Sequence, residues 1–308
     1  MESIEQVKNR IDSIAGTKQI TQSMRLVSTA RLQRVRGRME GNRLFRQETA
    51  RMVREAAAEH DVRKHRYVRP APEGAGACVI VVAADRGLCG GYNINVCREA
   101  GSLIQETGAA KVIAVGQKAK DYFRRRRGAG GVDKAFVGVS ETPFFEDAEE
   151  IASCALDWFE RGEVGSIYLA RTRFVNILTL PPECSLLLPV VATEAAGGGA
   201  GGAEGAGGDG PRLRRLARYE PEGGRLLDLA VPFYVASAVF GAMLEASVCE
   251  QSARIASMDS AVRNSEDMIE TLTLQYNKAR QSGITDELAD IIGGAAALKK
   301  KTARSAEG

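Results

Sequence analysis

The sequence predicts an α/β protein in which the two ends of the chain form a long antiparallel coiled coil beside a separate central α/β domain. Three observations predict it. Apolar residues recur at steps of three and four at both ends, the two ends carry opposite charge, and the middle alternates strands with helices. Each apolar stripe is too long for one small domain to cover, so we expect the ends to pair. The alternative is two amphipathic helices lying on a globular core.

The N-terminal helix is predicted to run from about Ser3 to about Glu59, a stretch without proline. It is rich in Lys and Arg, whereas the C-terminal helix carries many acids, such as Asp259 and Glu266. Flanking charges of opposite sign favour pairing of the two helices over self-association of either one. The predicted N-terminal stripe comprises Ile4, Val7, Ile11, Ile14, Met24, Ser28, Leu32, Val35 and Met39.

The C-terminal helix is predicted from about Leu229 to about Ser282, with Gly283 as a break and Thr285 as the cap of a last short helix. Its uncharged start, Leu229 to Leu244, is shorter than the ~20 residues that a membrane span requires, and we interpret it as a buried entry into the coil. The basic tail, 299–308, is expected to be disordered. The predicted stripe comprises Leu244, Val248, Gln251, Ile255, Met258, Val262, Ser265, Ile269, Leu272, Tyr276 and Ala279.

The middle of the chain alternates short apolar runs with helical segments, which indicates a mainly parallel, Rossmann-like sheet with helices on its faces. The predicted strands are Cys78–Ala83, Lys111–Val115, Ala135–Val137 and Ser166–Phe174, with Ile177–Leu180 and Leu186–Val191 as antiparallel edge strands. Residues 195–210 are almost entirely Gly and Ala, which predicts a flexible loop. The expected divisions are therefore 1–66, 67–194, 195–228, 229–298 and 299–308.

Composition excludes several classes of function. A formal net charge of +3 on 308 residues gives no strong attraction to nucleic acid. The six cysteines form no CxxC pair and have no histidine companions at metal-ligand spacing, so we expect reduced, mostly buried thiols and neither a metal nor a cofactor. The arginine run 124–127 lacks interleaved aromatic residues and is typical of a solvated helix end.

The turn from Asp85 to Asn93 is where a nucleotide would bind if this sheet bound one, because it joins a strand to a helix N-terminus. Its glycines, Gly87, Gly90 and Gly91, do not form GxGxxG, and no Gly-Lys-Ser/Thr follows. A structural turn is therefore favoured over a phosphate cradle. Since no histidine lies near Cys89 in sequence and no nucleophile–base pattern is present elsewhere, the sequence indicates no active site.

Both ends resemble one family, the gamma subunit of F-type ATP synthase. The segment 17–28, TKQITQSMRLVS, is similar to the family's N-terminal signature, and 272–281, LTLQYNKARQ, with Ile284 and Thr285, is similar to its C-terminal signature. Residues 85–93 resemble its central glycine-rich turn, and 219–221 its foot motif. The resemblance extends from about Ser3 to Leu298.

The resemblance implies a noncatalytic rotor shaft of a proton-translocating complex, present in one copy and peripheral to the cytoplasmic side of a bacterial membrane. The implied partners are the hexamer of alpha and beta subunits, the epsilon subunit and the membrane ring of c subunits. The implied sites are three: a contact with beta subunits, an apolar bearing tip, and a foot near epsilon and the ring. Their residues are Met24, Arg280, Gln281 and Thr285 for the beta contact, Ala295, Ala296, Ala297 and Leu298 for the tip, and Tyr219, Glu220 and Glu222 for the foot.

Two alternatives remain open at this point. One is a nucleotide-binding α/β protein with a coiled-coil arm, which depends on the central sheet. The other is a coiled-coil scaffold unrelated to energy conversion, which depends on the paired ends alone.

Overall fold

The computed structural model describes residues 4–58, 62–71, 74–108, 111–128, 130–191 and 223–306, without the side chains of 127, 223, 286 and 295–306. The chain divides into two compact units. The coil unit comprises residues 1–27 and 257–308, and the sheet unit comprises residues 28–256. Two helices, α1 (Ile4–Ala57) and α5 (Gly223–Ala306), contribute to both units.

In the coil unit, α1 and α5 pair through the predicted seam. Val7, Met258, Val262 and Leu272 expose only 4–7% of their surface. Two ion pairs show that the helices run antiparallel, because Lys18 lies 2.8 Å from Glu266 and Arg25 lies 3.0 Å from Asp259. The predicted pairing of a basic with an acidic helix is confirmed.

The sheet unit contains five strands in the order β3-β2-β1-β4-β5. The first four are parallel and β5 is antiparallel to β4, as the strand–helix alternation predicts. The bounds are β1 Ala77–Val82, α2 Tyr92–Thr107, β2 Lys111–Val115, α3 Gln117–Arg127, β3 Lys134–Phe136, α4 Phe145–Glu160, β4 Ser166–Thr172 and β5 Pro182–Leu188.

Alternate residues of β1 face opposite cores. Val79 and Val81 lie in a cluster with α2 and α3, whereas Cys78, Ile80 and Val82 lie in a larger cluster with α1, α4 and α5. All six β1 residues are buried, which explains the continuous apolar run. The sheet is therefore packed on one face by α2 and α3 and on the other by the two long helices and α4.

The predicted strand at Ile177–Leu180 is wrong, and the last strand begins earlier than predicted. The side-chain oxygen of Asn176 accepts hydrogen bonds from the backbone N–H groups of Leu178 (2.9 Å) and Thr179 (2.7 Å). This local turn competes with strand pairing. The chain rejoins the sheet at Pro182, where the first residue of an edge strand tolerates proline.

The end of α5 also differs from the prediction. Gly283 does not break the helix, and Thr285 does not cap a new one, since its hydroxyl donates to the Gln281 carbonyl (2.9 Å) inside the same helix. The side chain of Ile4 covers Gly283, with Cδ1 3.6 Å from where a Cβ would stand. The tail expected to be disordered is helical as far as residue 306. The predicted loop at 195–210 lies outside the described residues.

One described helix, α5, is long and apolar enough to cross a membrane by length and composition. Its most apolar window has a mean hydropathy of 1.7, and 61% of that window is buried inside the protein. The buried core helix of a globular protein meets the same criterion, as expected for the segment that begins near Leu229.

Gly116, between β2 and α3, lies very close to the backbone of Ala83, just after β1. Its φ is +93°, and a Cβ there would lie 2.3 Å from the Ala83 carbonyl oxygen. Gly116→Ala is therefore expected to lower the free energy of unfolding by about 3 kcal/mol or more, from backbone strain plus the clash. Urea unfolding of the isolated chain measures it.

The matched control is Gly108→Ala, where φ is +60° and nothing lies within 4 Å of a Cβ. Only the left-handed backbone penalty of about 1 kcal/mol applies there. Equal losses of unfolding free energy in the two variants would contradict the close approach of Gly116 to the Ala83 carbonyl, just after β1.

Candidate interaction surfaces

The carboxylate of Asp85, just after β1, caps the N-terminus of α3 and not that of α2, the helix that follows the glycine-rich turn. It accepts hydrogen bonds from the backbone N–H groups of Gln117 (2.9 Å), Gly138 (2.9 Å) and Ser140 (3.0 Å), and from the Ser140 hydroxyl (2.7 Å). Gln117 is the first residue of α3, so an anion of the chain itself already fills this helix N-terminus.

These donors determine the ionisation of Asp85. Burial acts to raise its pKa, but the hydrogen bonds from Gly138, Ser140 and Gln117 together outweigh burial and lower the pKa below the ordinary value. The group is therefore held as an anion and used as a structural bond acceptor.

The remainder of the glycine-rich turn is closed by Asn93. Its side-chain oxygen accepts from the Ala84 N–H (2.9 Å), and its amide nitrogen donates to the Arg86 carbonyl (3.3 Å). Gly90 has a φ of +55°, and the Gly91 carbonyl accepts from Asn95 N–H (2.9 Å) at the start of α2. The turn is thus satisfied internally.

Helix α5 holds the same turn from outside. Arg254, 6% exposed, donates to the Gly87 carbonyl (3.1 Å) and to Glu250 (2.6 Å). The Tyr92 hydroxyl donates to the Ala246 carbonyl (3.2 Å). Burial raises the pKa of Glu250 above the ordinary value, although the Arg254 guanidinium opposes the shift. The role of Gly87 as part of a structural turn remains a prediction.

A second buried ionic cluster is centred on Glu245 of α5, which is 7% exposed. Its carboxylate accepts from the Phe174 N–H (3.0 Å) and from the Arg171 guanidinium, and Arg46 of α1 lies 3.7 Å away. Burial lowers the pKa of Arg46, while the charge of Glu245 raises it. Three separate parts of the sheet unit therefore meet at one carboxylate. Sequence reasoning missed this cluster because its members are far apart in the chain.

An open groove of about 510 Å³ lies between α2 and α3. Several of its polar groups are already engaged, since Asn93 closes the turn, Asp121 accepts from Gln117 (2.8 Å) and Arg126 donates to the Tyr122 hydroxyl (2.6 Å). A ligand pocket needs free, convergent polar groups to orient its ligand, and this groove offers few.

The six cysteines are free thiols, and four of them are buried. Burial raises the pKa of Cys97 to about 12 and that of Cys184 to about 11. Thiolates are therefore disfavoured at both positions, as expected for structural thiols. Within the described part of the chain, no cluster of His, Cys, Asp and Glu is arranged to hold a metal ion.

The residues predicted to contact a beta subunit lie in the coil unit. Met24 is half-buried on α1, while Arg280, Gln281 and Thr285 are exposed on α5. Within the part of the chain that the structure describes, no side chain pairs with the Arg280 guanidinium, so it remains available to an external acceptor.

The other two predicted surfaces lie partly or wholly outside the described residues. The backbone is helical through Ala295, Ala296, Ala297 and Leu298, whose side chains lie outside the description. The foot residues Tyr219, Glu220 and Glu222 lie outside the described residues.

The chain matches known proteins over nearly its whole length. A family model described as ATP synthase matches residues 3–298. The chain is 36% identical over 297 residues to an ATP synthase gamma chain of Alkaliphilus metalliredigens, covering 96% of this chain and 99% of that one. It is 33% identical over 302 residues to a sodium-ion-specific ATP synthase gamma chain of Acetobacterium woodii, covering 96% and 99%.

Among solved structures, a chain of the Euglena gracilis mitochondrial ATP synthase (OSCP/F1/c-ring, rotational state 3) shares the fold. The TM-score is 0.66 at 20% identity, and the match covers 96% of this chain and 94% of that one. The likeness supports the arrangement of two long terminal helices and a mixed sheet.

Asp85→Asn tests the internal anion. We expect the free energy of unfolding at neutral pH to fall by about 1–3 kcal/mol, because an amide cannot satisfy all four donors. The folded pKa of Asp85 is below its unfolded value, so its stabilisation is complete above the unfolded carboxyl pKa of ~3.9 and is lost as pH falls through the folded pKa.

As the pH is lowered through this range, the free energy of unfolding should therefore fall less for Asp85→Asn than for the parent. Urea unfolding at stepped pH measures both. Glu99→Gln on the exposed face of α2 is the control and should leave the profile unchanged. A profile for Asp85→Asn that matches the control would refute the assignment.

Proposed function

We infer that the chain is the central rotor shaft of an F-type ATP synthase, because it belongs to the ATP synthase gamma-chain family. In this role it couples ion flow through the membrane c-ring to ATP synthesis or hydrolysis in the alpha–beta hexamer by rotating as a unit. The observation that carries the proposal is the family match across residues 3–298, which includes both terminal helices and the sheet.

The surface of the coil unit supports a shaft enclosed by partners. Apolar side chains lie outside the buried seam, with Ile20 at 64%, Leu26 at 67% and Leu274 at 67% exposure. Large apolar side chains exposed to this degree are compatible with a surface that a partner covers. An isolated coil gains nothing by exposing them, whereas a coil inside a hexamer would bury them.

We assign Arg280, Gln281, Thr285 and Met24 to contacts with beta subunits. Arg280 is exposed and has no partner among the described side chains, so it can donate charge-assisted hydrogen bonds to a carboxylate or carbonyl of a neighbour. Such bonds are directional, and the contact would therefore favour particular rotor angles.

We assign the two ends of the shaft by the same family pattern. Ala295, Ala296, Ala297 and Leu298 would turn in an apolar collar of the hexamer, where non-directional contacts favour no single angle. Tyr219, Glu220 and Glu222 would form the foot against the epsilon subunit and the c-ring.

The subunit is proposed to be noncatalytic. The glycine-rich turn after β1 lacks a nucleotide-binding fingerprint, and the N-terminus of the neighbouring helix α3 is already capped by Asp85. Turnover would belong to the hexamer.

We propose that the complex is proton-translocating and that the chain lies at the cytoplasmic face of a bacterial membrane, attached through its partners. One relative, from Acetobacterium woodii, is described as sodium-ion-specific, so membership of the family does not by itself decide the ion. ATP-driven ion uptake into vesicles decides it: collapse by a protonophore supports protons, and uptake that persists with the protonophore and needs Na⁺ refutes them.

The experiment that tests the shaft assignment is affinity purification of the tagged chain from detergent-solubilised source membranes, with ATPase measured on the eluate. We expect an ATP-hydrolysing assembly that contains the alpha and beta subunits. Recovery of the chain with partners that do not hydrolyse ATP would overturn the assignment.

Arg280→Ala is expected to lower the ATPase rate of the assembled complex, because the beta contact loses charge-assisted hydrogen bonds of roughly 1.5–3 kcal/mol. The isolated variant should fold normally, since the side chain is exposed. Lys278→Ala, an exposed cation on the same helix, is the control and should leave the rate unchanged. Equal rates for the parent and both variants would remove Arg280 from the contact.

A further inference from the structure

We propose that Glu245 is the residue that passes torque between the sheet and the two long helices, by holding three elements to one buried carboxylate. The inference rests on the proposed function as a rotor shaft. In that role the sheet must not slip against α1 and α5 when the chain is twisted.

The geometry at Glu245 is directional. One carboxylate oxygen accepts the Phe174 N–H at 3.0 Å, just beyond the end of β4, and the other accepts the Arg171 guanidinium from within β4. Arg46 of α1 approaches this second oxygen to 3.7 Å. Displacement of α5 along or about its axis would lengthen bonds to the strand and to α1 together.

Apolar packing alone does not supply this constraint. Val231, Val235 and Val239 of α5 are fully buried in the cluster that joins the sheet to the long helices. Such contacts stabilise the unit through buried area, but they set no specific bond geometry between the strand and the helices. Charge-assisted hydrogen bonds add the missing directionality.

Gly241, one turn before Glu245, provides the space for Arg46. A Cβ at this position would lie 2.6 Å from Cδ and 2.9 Å from Nη1 of Arg46. Gly241→Ala would therefore displace Arg46 from the carboxylate while leaving every charge in place. Alanine also favours the helix over glycine, so any loosening in this variant cannot come from a weaker α5.

The first test is amide hydrogen exchange on the isolated chain. In Glu245→Gln, the Phe174 amide is expected to exchange roughly tenfold faster or more, since it loses a bond to a charged acceptor. Glu48→Gln, in an exposed ion pair with Arg51 (2.6 Å) on α1, is the control and should not change it. Unchanged exchange of Phe174 in Glu245→Gln would overturn the proposal.

The second test is torsional stiffness in the assembled complex. The hexamer is immobilised, and a bead is attached either to the sheet unit through Glu106→Cys on α2 or to α1 through Glu55→Cys. Glu245→Gln and Gly241→Ala are expected to increase the angular variance of the bead on α2 and not of the bead on α1. A difference in variance between the two bead positions would locate the loosening at the junction between the sheet and the long helices.

Equal variance in parent and variants, or the same increase at both bead positions, overturns the torque role. Should Glu245→Gln fail to fold, Gly241→Ala alone decides, because all its charged groups remain. A parent complex that hydrolyses ATP without turning the bead refutes the proposed function instead, so the two failures are distinguishable.

Discussion

The burial of α5 on every side is the constraint on which the sheet unit depends. Each residue from 241 to 250 is buried, so this segment has no face left for water. A charged side chain in such a helix is costly unless a partner within the protein compensates it. Glu245 is compensated by Arg171 and Phe174, and one oxygen of Glu250 is compensated by Arg254, whereas Glu250 Oε2 and Ser247 Oγ have no hydrogen-bond partner among the described residues. The need to satisfy these carboxylates fixes which parts of the sheet lie against the helix.

The burial of α5 also accounts for the role of the turn after β1 in this Rossmann-like sheet. The carboxyl end of β1 is where ligands of such sheets bind. Here that end is occupied by Asp85 and closed by Asn93, and Arg254 of α5 holds the turn from outside. In this chain the turn after β1 is an internal joint, which agrees with the general rule that fold does not determine function. A rotor benefits from such a joint, because a rigid sheet transmits force without a ligand cycle of its own.

Periodicity was enough to predict the coil and most of the sheet. The seam at Val7 and Met258 follows from residue spacing, and the buried run of β1 follows from its β-branched residues, because both signals are local in sequence. The strand predicted at Ile177–Leu180 is absent because the Asn176 side chain accepts backbone hydrogen bonds and forms a local turn, which the apolar pattern does not reveal. The predicted break at Gly283 is wrong, since a single glycine costs only about 1 kcal/mol inside a long helix and does not end it. The Glu245 cluster was out of reach, because it joins residues 46, 171 and 245, which only the folded chain brings together.

The central claim is that the chain turns as a single shaft inside a catalytic hexamer. The most direct measurement immobilises the purified complex by its hexamer, attaches a gold particle to the sheet unit through the Glu106→Cys substitution on α2, and records the particle by microscopy during ATP hydrolysis. We expect unidirectional rotation of the particle that stops when ATP is exhausted. Hydrolysis at the normal rate, with the particle fluctuating about one fixed angle, would contradict it.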